Sequence, residues 1–172
     1  MADTDLMTLF SRVRAGDKDA FGEVYQALKQ PVYTICRRIV LSPELAEDVT
    51  HDVFVKLYIS PPEPSVNNPR AWVFRMARNL AIDALRKQKL ADGKDGEVTQ
   101  DDLYGRVDLR LDLETAISHL PRDQREILSL HLNGGLNFQD IAGITDLSLP
   151  SVYRRYRRAL KTLRDELNGG AI

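Results

Sequence analysis

Apolar residues recur every three to four positions along most of the chain, the spacing of helices that bury one stripe. Ala20, Phe21, Val24, Tyr25 and Leu28 form a first stripe, which Pro31 interrupts. Val32, Ile35, Cys36, Ile39 and Val40 form a second, which stops at Leu41-Ser42-Pro43-Glu44. There Ser42 can cap the next helix and Pro43 can take its first position, where no helical hydrogen bond is lost. Leu45, Ala46, Val49, Val53, Phe54 and Leu57 make a third stripe. Residues 59–69 hold four prolines and two asparagines and read as a loop. Helix resumes from about Arg70 to Lys89, with Val73, Met76, Ala77, Leu80, Ala84 and Leu85 as its expected buried side.

The pattern fades between 90 and 108, where Gly and Asp accumulate, and this stretch reads as a flexible acidic linker. Helical spacing returns at about 110–119 and 122–132, is broken by Pro121, and ends at Asn133-Gly134-Gly135. A short helix starts after Asn137, whose side chain can cap it, with Asp140 three residues on. A turn through Thr145-Asp146 leads to Ser148, a second cap, and a last helix to about Leu167. No alternating strand pattern and no internal repeat occur. The expected fold class is all-α, as two small helical domains: residues 1–89, a linker over 90–112, and residues 113–172.

Charge changes this picture more than composition does. The net charge of −1 over 172 residues hides segregation. Residues 61–90 carry six basic against two acidic side chains, and 151–172 again six against two. Between them, 91–114 carry three basic against eight acidic. Two basic blocks separated by an acidic one point to anionic partners at two places. No run of about 20 apolar residues could span a membrane. The acidic start MADTDLMTLF lacks a basic leader, so a cytoplasmic location is expected. Cys36 has no cysteine partner, and its apolar neighbours favour a buried structural thiol over a redox sensor.

The strongest physical motif spans 137–164. A short amphipathic helix (Phe138, Ile141, Ala142, Ile144) is joined by about four residues to a longer one. That is the spacing of a helix-turn-helix, whose second helix can enter a major groove. In the second helix Val152, Tyr156, Ala159, Leu160 and Leu163 share one face, and Arg154, Arg155, Arg157, Arg158 and Lys161 the other. Five cations this close repel one another unless an anion neutralises them, and DNA phosphates do so with release of counterions. A solvated basic face is the competing reading of these residues. Ser151, Tyr153, Arg154 and Arg155 sit in the first two turns, where base edges come within reach.

Residues 135–164 resemble, without gaps, the last domain of extracytoplasmic-function (ECF) sigma factors of bacterial RNA polymerase. LPRDQREILSLHL (120–132) resembles the helix that precedes it in that family. GDKDAFGEVYQAL (16–28), AEDVTHDVFVKLY (46–58) and NPRAWVFRMARNLAIDALRK (68–87) are similar, in order, to the family's first domain. The resemblance implies a factor that binds core polymerase and directs transcription initiation at chosen promoters. It implies that Glu47, Asp48 and Asp52 contact the clamp helices of the largest polymerase subunit, with Phe54 packed behind them. Asp48 and Asp52 share a helix face, and spacing alone would equally suit a solvated acidic surface. It implies that the loop residues Val66, Asn67 and Asn68 close over a flipped base of the melted minus-ten element. Asn79 would then read a base edge, Arg75, Arg78 and Arg86 hold phosphates, and Asp83 touch a base. Trp72 lies beside the buried stripe and reads as a hydrophobic support.

The last helix would read the minus-thirty-five element as duplex through Ser151, Tyr153, Arg154, Arg155 and Arg158. The linker would either thread polymerase channels as a nucleic-acid mimic or serve as a tether. An anti-sigma protein clamping between the two domains is a further partner that the resemblance implies. Three departures stand out. Asp146 replaces the usual glycine of the turn, Leu149-Pro150-Ser151 opens the recognition helix, and Pro61, Pro62 and Pro64 stiffen the loop.

Other functions fit these residues less well. Catalysis finds no support, since His51, His119 and His131 are scattered, with no carboxylate or cysteine cluster at metal spacing and no glycine-rich phosphate loop. Neither a metal nor a cofactor is expected. The alternative is a helix-turn-helix regulator binding duplex DNA without joining polymerase, for which residues 46–87 show no ligand pocket.

Overall fold

The computed structural model describes residues 3–93 and 113–169. The described chain is helical: α1 (Asp3–Arg14), α2 (Lys18–Val40), α3 (Pro43–Ile59), α4 (Pro69–Ala91), α5 (Leu113–His119), α6 (Arg122–Leu132), α7 (Phe138–Thr145) and α8 (Leu149–Gly169). It divides into two compact units, residues 1–84 and 85–172. Most of the expected linker, residues 94–112, lies outside the described residues.

In the first unit α1 packs on α2 and α2 on α3. Leu6 and Phe10 of α1, Val24, Leu28, Val32 and Ile35 of α2, and Val53 and Leu57 of α3 are all fully buried. α2 runs unbroken through Pro31, contrary to the expected interruption. Proline removes one hydrogen bond and costs about 3 kcal/mol inside a helix. Here Val24, Leu28, Val32, Ile35, Cys36 and Ile39 lie in one buried stripe across it. Burying a branched apolar side chain contributes about 1.5–3 kcal/mol, so the six together outweigh the loss.

Asp17 caps α2, its Oδ1 accepting from the N–H groups of Asp19 (3.0 Å) and Ala20 (3.1 Å). Ser42 caps α3, with Oγ accepting from the Leu45 N–H at 3.2 Å and Pro43 following in the first turn. Between them Leu41 ends α2 in the left-handed region at φ 57°, and its N–H donates to the Arg37 carbonyl. Cys36 is fully buried, and burial pushes its thiol up to about 12.

α4 buries Val73, Phe74, Ala77, Ala81, Ile82 and Leu85, whereas Met76, Leu80 and Ala84 are only half-buried. Val73, Ala77 and Leu85 are buried as expected, and Phe74, Ala81 and Ile82 complete the arc in place of Met76, Leu80 and Ala84. Phe74 is the largest of these buried side chains and is fully enclosed.

In the second unit Ala116, Ile117, Leu120, Leu128, Ala159 and Leu163 form one cluster, with Tyr156 packed against it. Arg125, almost fully buried, ties α6 to the end of α5. Its Nη1 donates to the carbonyls of Ser118 (3.2 Å) and Leu120 (2.6 Å), satisfying acceptors that a helix C-terminus leaves open. Gly135 (φ +68°) turns the chain out of α6, a conformation that glycine adopts without strain.

Candidate nucleic-acid interface

The helix-turn-helix of the second unit is built as its sequence pattern suggests. Asn137 caps α7 by accepting from the Asp140 N–H at 2.8 Å. Asp146 ends it in the left-handed region at φ 56°, the place where a glycine would be easiest. Ser148 opens α8: its carbonyl accepts from Val152 N–H (3.0 Å) and its Oγ from Ser151 N–H (3.4 Å).

An aromatic cluster sets the angle of α8. His131 stacks on Phe138 (centroids 4.6 Å apart) and meets Tyr156 edge-on at 5.0 Å. Phe138 in turn touches Tyr156 at 5.0 Å and Tyr153 at 5.8 Å. The His131 ring is fixed by a 2.8 Å bond from Nδ1 to the Leu136 carbonyl. Tyr156 thus belongs to the core, while Tyr153 rests its ring on Phe138 and leaves half of its surface open.

The outer side of α8 is a basic groove lined by Tyr153, Arg154, Arg157, Arg158, Lys161 and Arg164, with Leu160 between them. Arg157 lies over the Tyr153 ring, 5.9 Å from its centroid. Ser151 Oγ bonds the hydroxyl of Ser148 (2.9 Å) and accepts from Arg154 Nη2 (3.2 Å). Arg155 differs from its neighbours: its Nε donates to Asp123 Oδ2 of α6 at 2.7 Å. Spacing along α8 could not reveal Asp123, because the contact joins two helices. Arg164 was legible as a continuation of the basic face, three residues after Lys161.

α4 presents Arg75, Asn79, Asp83 and Arg86 on its exposed side, with Arg78 half-buried beside them. The preceding loop is anchored by Arg14, whose Nη1 donates to the carbonyl of buried Pro62. Sequence spacing offered no sign of this tie across 48 positions. Val66 is half-buried and Asn67 exposed. Asn68 is the cap of α4, its Oδ1 accepting from the Ala71 N–H at 2.9 Å. Trp72 is half-buried. On α3, Glu47, Asp48 and Asp52 are exposed, and Phe54 is buried against Tyr25 (centroids 4.7 Å apart). Val55 and Ile59 continue the Asp48–Asp52 face as exposed apolar side chains, an extension not anticipated from the sequence. Among the described residues no group of three or more metal-ligating side chains occurs, and no helix is long and apolar enough to cross a membrane.

Comparison with known proteins identifies this arrangement. The sigma-70 region 2 family model matches residues 24–91, and the sigma-70 region 4 model matches 110–163. The ECF RNA polymerase sigma factor RpoE of Cereibacter sphaeroides is 32% identical over 176 residues, covering 96% of each chain. The chain belongs to the ECF sigma factors. SigW of Bacillus subtilis, also an ECF RNA polymerase sigma factor, is 26% identical over 174 residues, covering 91% of this chain and 93% of that one. Among solved structures, the sigma factor RpoE of Bartonella quintana, in complex with the anti-sigma factor NepR, matches with a TM-score of 0.69 and 26% identity. It covers 88% of this chain and 98% of that one. CnrH, solved with the cytosolic domain of CnrY, shares the fold at a TM-score of 0.68 and 21% identity. In this sigma factor the region 2 match holds the exposed faces of α3 and α4, and the region 4 match holds the helix-turn-helix.

Proposed function

We propose that this sigma factor grips one promoter at two places while its first unit docks on core RNA polymerase. Glu47, Asp48 and Asp52 supply acidic contacts to the basic clamp helices of the largest subunit, and Val55 and Ile59 add apolar contact on the same face. Phe54 holds that face from behind. Val66, Asn67 and Asn68 frame the pocket for a base of the melted minus-ten element. Asn79 and Asp83 read base edges, and Arg75, Arg78 and Arg86 neutralise phosphates. In the second unit Ser151, Tyr153, Arg154, Arg155 and Arg158 address the minus-thirty-five duplex from the major groove.

In this reading residues 1–89 and 113–172 are the working domains and 90–112 the connection between them. The protein acts in the cytoplasm by binding, without a catalytic step of its own. An anti-sigma partner, as in the Bartonella complex, would hold it inactive.

The observation that carries the proposal is the pairing of an exposed acidic face on α3 with a basic recognition helix in a second unit. A regulator that binds duplex DNA alone has no use for the first of these. The test is transcription in vitro by core polymerase plus purified protein on a library of promoter fragments. Transcripts should arise from a subset that shares an upstream and a downstream element. RNA synthesis that does not depend on the added protein ends the proposal.

A further inference from the structure

We infer that Asp123 is a specificity-determining residue of the upstream-element interface, acting through Arg155; this rests on the reading of α8 as the minus-thirty-five helix. Arg155 lies four residues after Ser151 and three before Arg158, on the flank of α8 that carries these two proposed contacts. It differs from Arg154, which bonds only Ser151 Oγ of its own helix, in being held by a carboxylate of another helix. Nε is bound to Asp123 Oδ2 at 2.7 Å, the side chain is only 30% exposed, and Nη1 is buried without a hydrogen-bond partner. Asp123 is itself fixed, because its other oxygen accepts from the Gln124 N–H at 2.9 Å in the first turn of α6. A carboxylate in the first turn of a helix is also favoured by the helix dipole.

Two consequences follow for DNA. An untethered arginine sweeps many rotamers and pairs with phosphates of any sequence, which raises non-specific binding. Tethering through Nε fixes the guanidinium plane and, with Nη1 buried, leaves Nη2 as the outward donor, so a base acceptor is met at a defined place. The 46% exposed Asp123 carboxylate also sets a negative charge beside the cation and repels phosphates that are not in register. Asp123 therefore withholds Arg155 from indiscriminate phosphate capture. Specificity, being a difference of affinities, rises even where total affinity does not.

The experiment uses the full chain bound to core polymerase. The wild type first selects its preferred upstream duplex from a random library. Affinity for that duplex and for a shuffled one is then measured across a salt series. Asp123→Asn should bind the shuffled duplex about 3–10-fold more tightly, with a log–log salt slope steeper by about 0.9, the value of one added phosphate contact. Its ratio of specific to non-specific affinity should fall by the same factor. Asp123→Glu, which can restore the ion pair, should recover the ratio. In an Arg155→Ala background, Asp123→Asn should leave the ratio unchanged. An unaltered ratio in Asp123→Asn, or an equal change without Arg155, overturns the inference while leaving upstream recognition intact. A wild-type complex with no duplex preference overturns both. Matched melting temperatures of wild type and Asp123→Asn separate the effect from loss of fold, and Asp123→Glu supplies the same comparison should Asn destabilise α6.

Discussion

Tyr25 of α2 and Phe54 of α3 meet edge to face, their ring centroids 4.7 Å apart. Phe54 is 5% exposed, and it lies on the helix that carries Asp48 and Asp52 on its open side. Phe54→Ala removes a buried aromatic and should cost about 3 kcal/mol of the first unit's stability. Denaturant unfolding followed by circular dichroism measures this. A loss below about 1 kcal/mol would show that the pair contributes little to holding α3 on α2.

The acidic face makes the opposite demand. Asp48→Lys with Asp52→Lys changes two exposed side chains, so the fold should keep its melting temperature within a degree or two. Affinity for core polymerase should fall at least tenfold, since the two attractive pairs proposed for these residues become repulsive. Unchanged affinity in a pull-down or titration would remove α3 from the polymerase interface.

Asp146 ends α7 at φ 56°. Aspartate tolerates the left-handed region better than most residues, and β-branched residues tolerate it poorly. Asp146→Gly should be neutral or slightly stabilising. Asp146→Val should cost about 1–2 kcal/mol and weaken duplex binding in step, because the turn sets the approach of α8. Thermal unfolding of both variants decides it, and equal stability would mean that the turn carries no conformational strain.

The Asp17 carboxyl is held below its ordinary value, first by the Ala20 N–H and then by the Arg12 side chain, which reaches it at 2.8 Å. A depressed carboxyl stabilises the fold at pH above its unfolded value of about 3.9, and this contribution is lost as pH falls through the lower folded value. Asp17→Asn keeps a capping acceptor but removes the titration. Melting temperature should therefore fall less steeply between pH 5 and about pH 3 in the variant than in the wild type. Identical acid limbs would show that the cap does not titrate with folding.

Much of the molecule was legible in one dimension. Local preferences act over a few residues, so Ser42-Pro43, Asn137, Asp146 and Ser148 marked helix ends where the structure has them. The helix-turn-helix and most of its basic face followed from spacing, although Leu160, expected on the apolar face, lies exposed among the cations. Pro31 misled because the local cost of proline is visible in sequence, whereas the burial that outweighs it belongs to three packed helices.

What only tertiary structure decided are the contacts between distant residues. Which face of α4 turned inward, with Phe74 and Ala81 buried and Met76 and Leu80 only partly so, is one of these, since several arcs of that helix are apolar enough to be buried. Arg14 reaching Pro62 and Arg155 reaching Asp123 have no signature at any sequence spacing. A periodic pattern fixes which helix faces exist, because it repeats with the backbone. It cannot tell which charged side chains on those faces are open to DNA and which are held by another helix, because that depends on where the helices meet.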